Sequence, residues 1–148
     1  MLRYVIYDSN QDHVDLEKEL EFITNYIDLQ KLRTHVADKI HYSVKGIANG
    51  KKTAPLIFIV FIENAFKHGL QGDVENQFIN IIFNITGQYI EFISENNAGK
   101  TGRVGSEDGK GIGLDNVKKR LELMYPAKHT LTIRNDPDKY SVRLKLDL

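Results

Sequence analysis

The sequence predicts an α+β fold, a two-layer sandwich in which a mainly antiparallel sheet carries its helices on one face. Three observations predict it. Apolar residues recur at helical spacing, as in Leu16, Leu20, Ile23 and Ile27. Two pairs of alternating segments are each closed by a short turn, the pattern of hairpins. The resulting order is helix, strand, helix, two strands, glycine-rich loop, helix, two strands, which sorts into layers around one core.

The first helix is expected over residues 15–33, with Asp15 as N-cap and Glu17 and Glu19 at the positive end of its dipole. Residues 2–7 are expected to end an earlier helix, with 9–13 as the break. Residues 39–45 alternate around Ile40, Tyr42 and Val44 and read as a strand, followed by a turn at Gly46, Asn49 and Gly50. Thr53 is expected to cap the second helix, with Pro55 in its first turn and Gly69 at its stop. Residues 78–86 and 89–95 form a hairpin around Gly87. Six of the 11 glycines fall between Gly99 and Gly113. Glycine costs stability unless the backbone needs unusual angles or close approach, so this concentration points to a binding loop. A third helix is expected from Leu114 to about Tyr125, with Leu114, Val117, Leu121 and Met124 on one face and Pro126 as its stop. Residues 130–134 and 140–146 form the second hairpin, turned by residues 135–138.

Composition excludes several classes. The 148 residues suffice for one compact core. Lys plus Arg and Asp plus Glu number 20 each, which gives no support for nucleic-acid binding. The chain has no Cys, hence no disulfide, Cys-ligated zinc or thiol nucleophile. The longest apolar run, Leu56 to Ile62, is about a third of a membrane span. The abrupt start on an amphipathic pattern is expected of a piece of a longer protein.

Three constellations carry chemistry. On a helix, Glu63 stands above Lys67 and Asn64 above His68, so one edge bears an acid, an amide, a base and an imidazole. Taken alone, this also fits a solvated face with an i,i+4 salt bridge. The apolar run before it implies a helix buried except at its C-terminal end, where polar groups would line a pocket. There Asn64 could offer an amide oxygen to Mg²⁺, a hard cation, and Lys67 could meet a phosphate. The second constellation is Gly109-Lys110-Gly111-Ile112-Gly113-Leu114 at a helix start, where free N–H groups and the dipole favour anions; a flexible glycine hinge is the plain alternative. It matches neither the Rossmann nor the Walker pattern. The third is Glu95-Asn96-Asn97-Ala98-Gly99 at a strand end, which also suits an ordinary turn.

In order and content these three resemble the GHKL (Bergerat-fold) ATPases, and most closely the catalytic domains of LytS/YehU-type sensor histidine kinases. Residues 55–69 resemble that branch's N box, and Gly109 through Asn116 to Leu121 resemble its second glycine box and helix. Leu16 to Arg33 resembles the segment that joins the dimerisation hairpin to the catalytic domain. The resemblance covers nearly the whole chain and divides it into the hairpin's tail and linker helix, 1–33, and the catalytic domain, 34–148.

The resemblance implies a protein histidine kinase of a two-component system, with ATP and Mg²⁺ as cofactors. Asn64 would coordinate the metal, Glu63 would polarise the attacking group, and Lys67 and His68 would contact the nucleotide. Gly109, Lys110, Gly111, Ile112, Gly113, Leu114 and Asn116 would form the phosphate side, and residues 98–107 the ATP lid. The family has Asp where Asn96 stands, accepting a hydrogen bond from the adenine amino group; the Asn96 oxygen can still accept it, as a weaker neutral acceptor. Ala98 stands where glycine is typical. His13, His35, His41, His68 and His129 all lack the phosphoacceptor context, so the substrate His is expected on dimerisation helices upstream. The implied partners are those helices, a response regulator and a second copy of the full protein, on the cytoplasmic side of the inner membrane. The rival readings are a degenerate nucleotide-sensing or docking module, a water-activating ATPase of the same superfamily, and an anti-sigma-type serine kinase.

Overall fold

A computed structural model describes residues 11–98 and 110–148. Seven strands and three α-helices follow in the order β1 (Val14–Asp15), α1 (Leu16–Leu32), β2 (Ile40–Lys45), β3 (Lys52–Thr53), α2 (Ile59–Gly69), β4 (Ile79–Ile85), β5 (Tyr89–Asn97), α3 (Lys110–Met124), β6 (His129–Asn135) and β7 (Lys139–Asp147). Five of the strands make one sheet in the order β2-β4-β5-β7-β6. Three of its four neighbouring pairs are antiparallel and β2–β4 is parallel. Parallel neighbours need a crossover, and the segment containing α2 supplies it.

The sheet is half-buried by alternation. Ile79, Ile81, Phe83 and Ile85 of β4, Ile90 and Phe92 of β5, and Val142, Leu144 and Leu146 of β7 point into the core. The predicted stripe of α1 joins them: Leu16, Ile23 and Ile27 are fully buried and Leu20 nearly so. Val117 and Leu121 bring α3 into the same core. At its centre Phe92 packs against Phe58, Phe61 and Phe83, with ring centroids 5.1–6.0 Å apart. The predicted hairpins form, the first closed by the Thr86 N–H bond to Tyr89 O and the second by the Asp136 N–H bond to Lys139 O.

The starts of α2 and α3 differ from expectation, while Asp15 and Gly69 hold their expected places for other reasons than capping. Asp15 sits at the N-cap of α1 but makes no capping bond; its carboxylate lies 3.5 Å from Lys52 instead. Thr53 does not cap α2, and Pro55 is not in its first turn. Thr53 pairs with Val14 in a small ribbon, and the helix waits until Ile59 because Leu56 turns the chain with a left-handed φ of 57°. Gly69 ends α2 as its last residue, outside the left-handed region. It is glycine for contact: a Cβ there would stand 2.8 Å from Ile79 Cγ1 and 2.9 Å from Asn96 Cβ. Helix α3 starts at Lys110, a turn earlier than Leu114, so the last part of the glycine box is its first turn. The expectations for residues 2–7, most of the glycine loop, and Gly109 fall outside the described residues.

Candidate functional site

Helix α2 is buried along Ile59, Phe61, Ile62, Ala65, Phe66 and Gly69, which fixes what its remaining edge can show. Glu63 and Lys67 are exposed, whereas Asn64 and His68 are half-buried. Glu63 and Lys67 form no ion pair with each other among the described contacts, so the i,i+4 bridge is absent. Partial desolvation pushes the Glu63 carboxyl above its ordinary 4.5, since burial disfavours the charged form.

The start of α3 lies beside this edge. A Cβ on Gly113 would meet Val60 Cγ1 at 3.7 Å, and Val60 stands one helical turn before Asn64. The structure thus brings the second glycine box alongside the Val60–Asn64 edge. Leu114 is half-buried, and Asn116 is exposed. Free N–H groups belong to the first turn of any helix, so α3 offers its positive end at this place.

The floor beneath the end of α2 comes from β5. Strand alternation carries Asn96 to the core side, where it is 1% exposed. Its Nδ2 donates to Asn97 O at 2.9 Å. Its Oδ1 is buried with no hydrogen-bond partner among the described residues. A buried acceptor left empty costs about 1–3 kcal/mol, so such an atom is kept where something else fills it. Asn97 Oδ1 is likewise buried and without a partner among the described residues, while its Nδ2 donates to Gln71 O at 3.3 Å. Asn96 itself lies against the last turn of α2, at the point where glycine at 69 lets the helix approach.

Sequence reasoning passed over several residues here. Gln71 and Gly69 arrange the Asn96–Asn97 corner. Tyr26 of α1 packs edge-on against Phe66, with ring centroids 5.8 Å apart; burial, then the Glu63 charge, raise its hydroxyl pKa. No periodicity distinguishes a tyrosine that meets a site from one that fills a core, so the sequence carried no signal for it. Among the described residues no group of His, Asp and Glu is built to hold a metal, and no helix is long and apolar enough to cross a membrane. Two open surface clefts lie elsewhere, one of about 400 Å³ beside β2 and β4 and one of about 530 Å³ near Lys51, Lys52 and Lys128.

Comparison with known proteins places this arrangement in context. Residues 1–38 match the family model described as histidine kinase. The chain is 25% identical over 134 residues to the sensor protein LytS of Staphylococcus saprophyticus, covering 83% of this chain and 22% of that protein. It is 23% identical over 130 residues to the sensor histidine kinase BtsS of Escherichia coli, covering 88% of this chain and 23% of that protein. The chain therefore spans less than a quarter of these relatives. Its fold resembles the catalytic domain of histidine kinase ThkA, with a TM-score of 0.63 at 11% identity over 91% of this chain and 95% of that one. It also resembles the histidine kinase AdeS of Acinetobacter baumannii, with a TM-score of 0.56 at 14% identity over 91% of this chain and 66% of that one.

Proposed function

We propose that this chain, a relative of the LytS-type sensor histidine kinases with the fold of a histidine-kinase catalytic domain, binds ATP with Mg²⁺ and directs the γ-phosphoryl group to a histidine outside it. The observation that carries the reading is the empty Asn96 Oδ1. It is a buried acceptor whose amide is locked by Asn97 O, set at the end of the helix that bears Asn64. An exocyclic amino group such as that of adenine is the donor such an atom lacks. The residues present fit a nucleotide, and its roles divide among them.

Asn96 would accept from the base. Asn64, half-buried on α2, would give its amide oxygen to the metal, leaving water and phosphate oxygens to complete the hard-ligand shell. Bound Mg²⁺ would supply charge neutralisation on the phosphates. The N–H groups in the first turn of α3, at its positive end, would hold phosphate oxygens, the role the resemblance implies for Gly109, Gly111 and Gly113. Lys110, Ile112 and Asn116 would flank that mouth, and His68 would contact the nucleotide beside Asn64. Exposed Lys67 would meet the phosphate tail as a point charge. Glu63, its carboxyl already less acidic than usual, is suited to draw a proton from the attacking group. Transfer of this kind depends on positioning more than on covalent chemistry by the protein.

In the whole protein we place residues 1–33 as the end of the dimerisation hairpin and linker, and 34–148 as the catalytic domain. The receiving histidine then lies upstream on a homodimer's paired helices, a response regulator is the next acceptor, and the domain faces the cytoplasm from the inner membrane. Titration calorimetry of this chain with ATP and Mg²⁺ tests the central reading. Binding that weakens roughly 3- to 10-fold in Asn96→Ala, as one hydrogen bond predicts, supports it. A folded sample that gives no heat with ATP overturns it in favour of a docking module.

A further inference from the structure

The short segment that leads into α2 is held from both sides. Leu56 adopts a φ of 57°, a backbone conformation that costs a non-glycine residue about 1–2 kcal/mol. It persists only where the surroundings over-determine it. Here three bonds do so on successive residues. The Ala54 N–H donates to the Tyr125 hydroxyl at 2.9 Å. Arg120 Nη2 donates to Pro55 O at 2.7 Å. The Leu56 N–H donates to Glu19 Oε1 at 3.0 Å. Tyr125 and Arg120 belong to α3 and its end, the helix whose first turn is the glycine box. Glu19 belongs to α1 and is 0% exposed, an unusual setting for a carboxyl group.

Seven residues after Glu19, and so on the same face of α1, Tyr26 packs on Phe66 of α2. The two contacts advance along both helices in the same direction. Helix α1 therefore touches this segment at two points, by a hydrogen bond at the turn before α2 and by a ring contact on α2 itself. Asn64 follows the Leu56 turn by eight residues, within the second turn of α2, so the turn sets where it stands.

We propose that Glu19 is a positioning residue. Its buried carboxyl group holds the left-handed Leu56 turn and thereby sets the lie of α2, so that α1 controls where Glu63 and Asn64 point. The inference rests on the nucleotide-binding reading for its consequence, but the clamp can be read without nucleotide. A shift of α1 along its axis would release the Leu56 N–H, and the turn would relax from its costly conformation, taking α2 with it.

The test compares three variants of this chain. Glu19→Gln keeps an acceptor oxygen. Glu19→Met fills the same space without one. Ile23→Ala weakens the buried face of the same helix without touching the turn. In the absence of nucleotide, hydrogen exchange at the Leu56 amide and the first turn of α2 should rise in Glu19→Met and stay near wild type in Glu19→Gln and Ile23→Ala. With ATP and Mg²⁺, the Kd should rise about tenfold in Glu19→Met alone, as expected when a binding group is misplaced. Equal effects in Glu19→Met and Ile23→Ala would overturn the proposal and leave Glu19 a packing residue. Should Glu19→Met not fold, wild-type exchange decides: a Leu56 amide no better protected than an exposed loop amide overturns the clamp. If wild type binds no ATP while the exchange pattern holds, the nucleotide reading fails and the clamp stands.

Discussion

At the scale of single residues, the candidate site is defined by groups held out of their ordinary state. Glu63 is the clearest. Its carboxyl titrates above 4.5 through desolvation, so protonation favours the folded form. The stability this group contributes is full below the ordinary carboxyl range and is lost as pH rises through the raised folded-state value. Glu63→Gln should therefore raise the melting temperature at pH 7 and leave it nearly unchanged at pH 4. A neutral-pH gain no larger than the acid one would remove the argument that this carboxyl is kept for chemistry at a cost to stability. Carbon-13 shifts of the Glu63 carboxyl should place its midpoint above 4.5 directly. Asn96 is the second such residue, and its empty oxygen was beyond the reach of sequence. Strand alternation after Ile90, Phe92 and Ser94 turns Asn96 to the core side, but nothing in that pattern tells that its nitrogen is taken by Asn97 O.

At the scale of elements, the site depends on how near α2 comes to the sheet. Gly69 sets that distance, because a methyl group there meets Ile79 and Asn96 below 3.0 Å. Gly69→Ala should destabilise the domain by about 1–3 kcal/mol, the usual cost of forced overpacking. On the proposed nucleotide-binding reading it should also weaken ATP binding, by displacing Asn96. Loss of stability measured in urea with unchanged ATP affinity would separate the two effects and count against the Asn96 role. Gly46, after β2, is a more severe case: its φ is 101° and a Cβ would stand 1.9 Å from Ile85 O. Gly46→Ala should cost more than Gly69→Ala in the same unfolding experiment, since backbone rather than side chain must yield. The start of α2 was misjudged at this scale. Thr53 and Pro55 are good local signals for a helix start, yet Thr53 is drawn to Val14 and Leu56 to Glu19, and local signals lose to tertiary bonds.

At the scale of the whole molecule, one apolar core joins all three helices to the inner face of the sheet. Phe92 is central to it, within 6.0 Å of three other rings. Phe92→Ala should cost about 3–5 kcal/mol, from lost transfer energy and the cavity left behind. Against a total stability of about 5–15 kcal/mol, that would leave a domain close to unfolding at physiological temperature. A shift in urea midpoint corresponding to under about 1 kcal/mol would mean that the ring cluster is looser than described. Because α1 shares this core, α1 and the sheet layer should melt together in one transition when followed by far-UV and near-UV circular dichroism.

The layers, the helix faces and the two hairpins are legible in the chain read alone. These follow from the periods 3.6 and 2, from short turns and from the need to bury one face of each element, all of which are written locally. Read alone, the chain also brings the N box and glycine box into view, since their chemistry is concentrated in short runs. Long-range contacts set the parallel pairing of β2 with β4, the late start of α2, the closeness required at Gly69, and the bonds of Glu19 and Arg120 to the Pro55–Leu56 turn. Each of these depends on which residues distant in the chain meet. The free energy of such meetings, a buried acceptor matched or a backbone angle held, does not appear in the pattern of any one segment.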